Sequence, residues 1–463
     1  MRTVLILCIS GAVAAASGAC GSRHGNSVGD DDAGSVPCDG PGCRVNCRAM
    51  GLRETTLSGT VFAPNGTLPL YGVNVYVPAS DPGPLPDGAR CARCTDPLPG
   101  NPILSGVSDA NGRFSLIGVP PGDNIPLVIT TGKWRRQIVV PHVDACAEHP
   151  LAPIDTTLPR DRTEGDLPRI AITTGLADSL ECLVRKLGVA DSEITTDQGG
   201  GHVQLYVGST GKDRFAAGFP GGGGQLFGSA KDRLWSDPAR LASYDIVMFS
   251  CEGATFAEDK SQAAMDAVKG YADLGGRVFL SHWHHVWLRG EKDKPEHGIA
   301  DWERVATWTN NEDELVKDSS SRIDELANPK GPSFASWMLA VGGSVERGHI
   351  ALQNQAPDPM KPDDPILSSG RSTCSGVDPA LAERWVYLPD QGEGTQNFQF
   401  TTPLGVAPPE RCGKVVFSDM HVSGIAGEGD YPDSCGASAQ LTPQEKALAF
   451  MFFDIASCVG EVL

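Results

Sequence analysis

Three histidines and two tryptophans crowd the stretch GGRVFLSHWHHVWL, residues 275–288. Neutral imidazole is a common zinc ligand, and a nearby carboxylate can complete such a set. If residues 280–285 stay extended, His282 and His284 project to one face and His285 to the other, because side chains alternate along a strand. A second apolar run, KVVFSD, leads into Asp419-Met420-His421. His282, His284, His421 and Asp419 are therefore the candidate divalent-metal set, with zinc as the ion and metal-assisted hydrolysis as the chemistry. The competing reading is packing: Trp283 and Trp287 bury the segment, and the imidazoles bond to backbone carbonyls. Two histidines at i, i+2 fit either.

Cysteine is the other reactive type, with 14 in the chain. Setting aside Cys8 and Cys20 at the N-terminus leaves an even dozen, which in an exported chain reads as up to six disulfides. The Cys91–Cys94 pair is a CxxC in a Pro/Gly-rich loop rather than at a helix start, so a redox motif is not expected. Cys251 follows an apolar strand, where a nucleophile can sit, but no base stands in a recognisable relation to it. Cys182 falls early in a helix after the preceding strand. Both then lie at one edge of a sheet, and a Cys182–Cys251 disulfide is expected, with free thiols as the alternative. The segment GSTGK at 208–212 lacks the spacing of a phosphate loop.

The elements that must position these residues fall into two blocks. From Leu57 the pattern has period two: LSGTVFAP, YGVNVYVP, RFSLIGV, IPLVITTG and RRQIVVP are short strands divided by turn residues such as DANG at 109–112. They predict a β-sandwich over 57–150. A Pro-rich linker follows at 151–168. From Arg169 the pattern becomes strand, helix, strand: RIAITTG, a helix over 178–187, YDIVMFS, a helix over 261–274 stopped by Gly275-Gly276, and RVFL. Short apolar strands alternating with helices predict a doubly wound, mostly parallel α/β sheet over 169–463. Glycine-rich residues at about 199–240 and β-rich residues at about 330–410 read as insertions. Thr442, Pro443 and Glu445 form the start signal of a terminal helix.

Met1-Arg2-Thr3 followed by apolar Val4–Ala16 reads as a signal peptide over 1–19, too short to span a bilayer. Small residues before Cys20 resemble a bacterial lipobox, which implies lipidation of Cys20 and a membrane anchor; ordinary signal cleavage is the alternative. By the lipoprotein sorting pattern, Gly21 favours the outer membrane. Residues 20–56 are a Cys/Gly-rich tether unable to bury a core. The net charge of −19 opposes binding to nucleic acid.

Ser58-Gly59-Thr60-Val61, Gly72-Val73 to Tyr76-Val77, and Gly112-Arg113-Phe114 to Val119-Pro120-Pro121-Gly122 resemble the carboxypeptidase regulatory-like domain. That resemblance implies a non-catalytic sandwich. The order YDIVMFS, helix, LGGRVFLSH resembles the flavodoxin-like sheet of class I glutamine amidotransferases and ThuA-like proteins. The amidotransferase nucleophile would fall at Leu280-Ser281-His282, where no cysteine stands. The whole arrangement resembles bacterial surface lipoproteins of unestablished activity. The leading expectation is an exported, lipid-anchored, non-catalytic surface protein that binds a ligand or protein partner. Its rivals are a metal-assisted hydrolase and a carbohydrate-binding protein whose sandwich offers Tyr71, Tyr76 or Trp134.

Overall fold

The computed structural model describes residues 45–291, 298–309, 320–352, 370–391, 394–422, 429–436 and 440–460. The leader over 1–19, Cys20 and the tether up to residue 44 lie outside them.

Alternating burial builds the first block. Arg113–Ile117 reads exposed, buried, exposed, buried, exposed, placing Phe114 and Leu116 inward. Thr56–Thr60 lies between Arg113–Ile117, antiparallel, and Glu148–Pro150, parallel. A second sheet has four antiparallel strands in the order Pro102–Val107, Asn74–Pro78, Gly122–Thr131 and Trp134–Val143. Leu57, Phe114, Val75, Val77, Leu127 and Ile129 share one core. At the DANG turn Gly112 has φ +73°, and a Cβ there would lie 2.8 Å from Pro69 and 2.9 Å from the Val61 carbonyl oxygen. Only glycine meets both demands.

The second block is a large mixed sheet. We label five of its parallel strands β1 (Ile170–Thr174), β2 (Val203–Val207), β3 (Ile246–Phe249), β4 (Arg277–Ser281) and β5 (Gly413–Ser418). They lie in the order β2-β1-β3-β4-β5, the doubly wound order of flavodoxin-type sheets. All residues of β1, β3, β4 and β5 are buried, as strands covered on both faces must be. Beyond β5 the sheet continues antiparallel through Gly394–Thr402, Ala382–Leu388, Ser320–Ile323 and His349–Ala351. The β-rich stretch at 330–410 therefore extends the same sheet. Residues 199–240, read from the sequence as an insertion, contain β2 itself, whose apolar VQLYV is short and framed by glycines.

Four helices matter here: α1 (Leu180–Lys186), α2 (Gln262–Leu274), α3 (Gly331–Ala340) and α4 (Pro443–Ala456). Ser261 caps α2 by accepting from the Ala264 N–H, and Gly275 ends it at φ +121°. Thr442 and Glu445 form the expected reciprocal capping box on α4. This helix is buried along most of its length. Phe450 packs 4.5 Å from Phe334 and 5.4 Å from Trp337 between ring centres.

One continuous apolar core joins the two blocks. Trp134 of the four-stranded sheet meets Phe452 and Phe453 of α4 at 5.6 and 5.5 Å. Leu158 and Leu167, in the Pro-rich connector, belong to that core. Trp134 and Tyr76 are fully buried and Tyr71 stacks on Phe450, so none of the three forms an open stacking platform.

Four disulfides occur among the described residues: Cys47–Cys146, Cys91–Cys412, Cys94–Cys458 and Cys182–Cys435. Such a set marks an exported protein. The CxxC cysteines bind two distant partners instead of forming a redox pair. The expected Cys182–Cys251 bond does not form; Cys251 is a buried free thiol, as is Cys374. Ser250 occupies the position facing α1, its Oγ accepting from the Leu180 N–H at 3.3 Å. The next residue, Cys251, points the other way. No helix among the described residues is long and apolar enough to cross a membrane.

Candidate metal centre

Strand register brings the donors to one height. Phe249 of β3 pairs with Leu280 of β4, and Leu280 with Phe417 of β5. Cys251, His282 and Asp419 each lie two residues further on, so three neighbouring parallel strands present them at their carboxyl ends. That end is where open α/β sheets bind ligands.

Cys251 Sγ lies 3.6 Å from His282 Nδ1, and His282 Nε2 lies 3.9 Å from Asp419 Oδ1. His421 completes the cluster, its ring centre 5.2 Å from that of His282. One donor atom each from Cys251, His282 and His421 falls within 4.8 Å of the others. Zinc bonds of about 2.3 Å to sulfur and 2.0 Å to nitrogen put tetrahedral donors about 3.5 Å apart. The Cys251–His282 spacing already has that value, and a small inward shift of His421 would close the set. Neither nitrogen of His421 has a hydrogen-bond partner, and neither does Asp419 Oδ1. A water or an ion would satisfy such buried polar atoms.

The surroundings keep the two imidazoles in ligand form. Burial, with Arg371 as a secondary cause, holds His282 and His421 well below the usual imidazole range, so both are neutral. Burial pushes the Asp419 carboxyl up to about 7, against hydrogen bonds from the Cys374 and Thr373 backbone. Asp419 Oδ2 accepts those N–H groups at 3.3 and 3.0 Å, leaving Oδ1 toward His282. Burial also pushes the Cys251 thiol up to about 12.

Asp178, in the turn between β1 and α1, positions both histidines. Its Oδ2 accepts from Ser281 Oγ at 2.6 Å, next to His282. Its Oδ1 accepts from the Val422 N–H at 3.0 Å, next to His421. His282 itself has φ +37°, a left-handed conformation rare for a non-glycine residue and common at functional sites.

The sequence-derived set therefore divides. His282 and His421 converge with Cys251, and Asp419 Oδ1 approaches His282 Nε2; His284 stays apart. Residues 282–285 form a tight helical turn instead of extending the strand, so the i, i+2 relation no longer shares a face. His284 Nε2 donates to the Ser250 carbonyl at 2.9 Å, and its Nδ1 accepts from Trp287 Nε1 at 3.0 Å. Both nitrogens are used in packing. His285 lies between the Trp283 and Trp308 rings, 5.6 and 5.8 Å away. Cys251 was missed as a donor because an even cysteine count disguises two free thiols. Asp178 and Arg371 carry no sequence signal.

No family profile matches the chain, and no curated protein matches it. Among solved structures, two cohesin–X-dockerin complexes from Acetivibrio cellulolyticus overlap it weakly. One has 16% identity over 31% of this chain and 75% of that one, with a TM-score of 0.16. The other has 17% identity over 32% and 88%, with a TM-score of 0.17. Cytoplasmic protein STM3548 from Salmonella typhimurium shows 11% identity over 62% of this chain and 98% of its own, with a TM-score of 0.30. Overlaps this slight carry no argument about site or activity; the α/β arrangement rests on the strand order itself.

Proposed function

We propose that this is an exported, non-catalytic surface protein whose α/β body is locked by a buried zinc ion. Cys251, His282 and His421 are the ligands, and Asp419, whose Oδ1 faces Nε2 of His282, is the carboxylate beside them. The observation that carries the reading is the convergence of three donors within 4.8 Å, one of them, His421, having no hydrogen-bond partner at either nitrogen. The three donors lie in a site closed to solvent, whereas hydrolytic sites keep a position open for water. All four residues are at most 1% exposed. The ion would supply charge to three strand ends and hold Cys251 as thiolate.

The line Cys251, His282, Asp419 also has the order of nucleophile, base and orienting carboxylate. A thiol pushed up to about 12 beside a neutral imidazole is a poor nucleophile, whereas a bound zinc would itself stabilise the thiolate.

Lipid at Cys20 would tether the protein to the outer membrane or cell surface, presenting the sandwich and sheet to a carbohydrate or protein ligand. Labelled fatty acid should enter the wild-type chain and not Cys20→Ala. For the metal, the full mature chain is purified without a tag and analysed for bound ions. About one zinc per chain is expected, falling to background in Cys251→Ser. A folded, metal-free wild-type protein that takes up no zinc on dialysis would overturn the reading.

A further inference from the structure

The four-stranded sheet has a second face, turned away from the sandwich core. Asn74 pairs with Thr130, and Thr130 with Arg135, so these three point the same way. Tyr76, two residues beyond Asn74, joins them. A cavity of about 440 Å³ lies over this face. Its opposite wall comes from the α/β body, at Asp245 and Ile246 beside β3 and at Gly275 and Arg277 beside β4. Its roof is the Pro-rich loop between Asn74–Pro78 and Pro102–Val107, with Leu85, Pro86 and Pro97 lining it. Two disulfides, Cys91–Cys412 and Cys94–Cys458, fasten that roof to the α/β body. The cavity has the size of a small-molecule site.

Most charged groups on its walls are already engaged. Arg277 donates to the carbonyls of Gly275, Cys412 and Ser457. Asp245 pairs with Lys133 and accepts from the Arg169 N–H. Asp96 accepts from the Arg93 N–H. Two buried groups differ. Arg135 is 3% exposed; its Nε and one terminal nitrogen are bonded to Asp166 and to the Gly83 carbonyl, while Nη1 has no partner. The Tyr76 hydroxyl, fully buried, also has none. Tyr76 and Arg135 lie on the same face of the sheet, and both line the cavity. Unmade bonds at buried donors are costly, and a ligand acceptor would satisfy them.

We propose that this cavity binds a small organic carboxylate, its two oxygens accepting from Arg135 Nη1 and the Tyr76 hydroxyl and its apolar part lying under the proline-lined roof. The match is of number and charge: two donors, one of them cationic, for two oxygens of one anion. The site is separate from the metal centre and does not depend on it.

The test uses the full, oxidised chain and calorimetric titration with benzoate, its uncharged analogue benzamide, and inorganic phosphate. Benzoate should bind at least about tenfold more tightly than benzamide, the effect of one charge-assisted hydrogen bond. Tyr76→Phe, which removes only the hydroxyl, should weaken benzoate by roughly tenfold with an unchanged melting temperature. Arg135→Lys, which keeps the charge but loses Nη1, should weaken it further. Absence of millimolar benzoate binding, equal binding of benzamide, tighter binding of phosphate, or an unaltered Tyr76→Phe titration would each overturn the assignment.

Discussion

Cys251 and His282, 31 residues apart in sequence, meet at 3.6 Å at the tips of adjacent parallel strands. The contact separates ligand from packing histidine. With cobalt(II) as a probe, the wild-type chain should show an intense thiolate-to-metal absorption. Cys251→Ser should abolish it. His284→Ala should keep it while lowering the melting temperature, because the His284 ring nitrogens are engaged by Ser250 and Trp287. Loss of the band in His284→Ala with the fold intact would put the ligand set elsewhere.

Asp178 holds the neighbours of two proposed ligands. Asp178→Asn keeps the shape but weakens the acceptor for Ser281 Oγ and the Val422 N–H. Zinc affinity should fall about 10- to 100-fold, the usual effect of an outer partner of a metal ligand. Competition with a chromophoric chelator reads this directly, and an unchanged affinity would confine Asp178 to the fold.

Glu181 on α1 makes stability fall as pH rises. Burial, aided by Asp178, pushes its carboxyl from an ordinary 4.5 up to about 8. Below 4.5 both folded and unfolded chains are protonated there, and no penalty exists. Between 4.5 and about 8 the unfolded chain releases a proton that the folded chain retains, so folding loses ground, on the order of 4 kcal/mol by the upper end. Glu181→Gln should flatten this part of the profile and be the more stable protein at pH 8. Urea unfolding at several pH values measures the crossing, and parallel profiles would refute the assignment.

Asp454 on α4 sits between two lysines, 2.5 Å from Lys330 Nζ and 3.0 Å from Lys414 Nζ. These cations hold its carboxyl far below the usual carboxylate range, overcoming its burial. Removing one member of such a group strands buried charge. Asp454→Asn should cost about 3–5 kcal/mol in chemical denaturation. A loss below about 1 kcal/mol would mean that the lysines find other partners or water.

The fold was legible wherever local pattern and burial agree. Arg113–Ile117 alternates as its strand does, β1 and β3 are continuous apolar runs, and Ser261, Gly275 and Thr442 mark real helix ends. β2 escaped notice because glycines on both sides of VQLYV outweigh five residues. At the site, two strand-end histidines and one carboxylate were readable from their place after apolar runs. The turn that removes His284 was not, since it follows from the left-handed backbone at His282. Disulfide partners were unreadable for a different reason: Cys182 joins a residue 253 positions away, a distance that no local pattern encodes.

The stapled roof also constrains how the molecule can be made. Cys91 and Cys94 must wait for partners 321 and 364 residues downstream. A chain threaded across a membrane from its N-terminus exposes these two thiols to oxidant long before either mate emerges, and each is then the other's nearest neighbour. Biogenesis therefore needs either a delay in oxidation or a shuffling catalyst that undoes a premature ring, so the yield of native protein depends on the exchange machinery of the compartment that receives it.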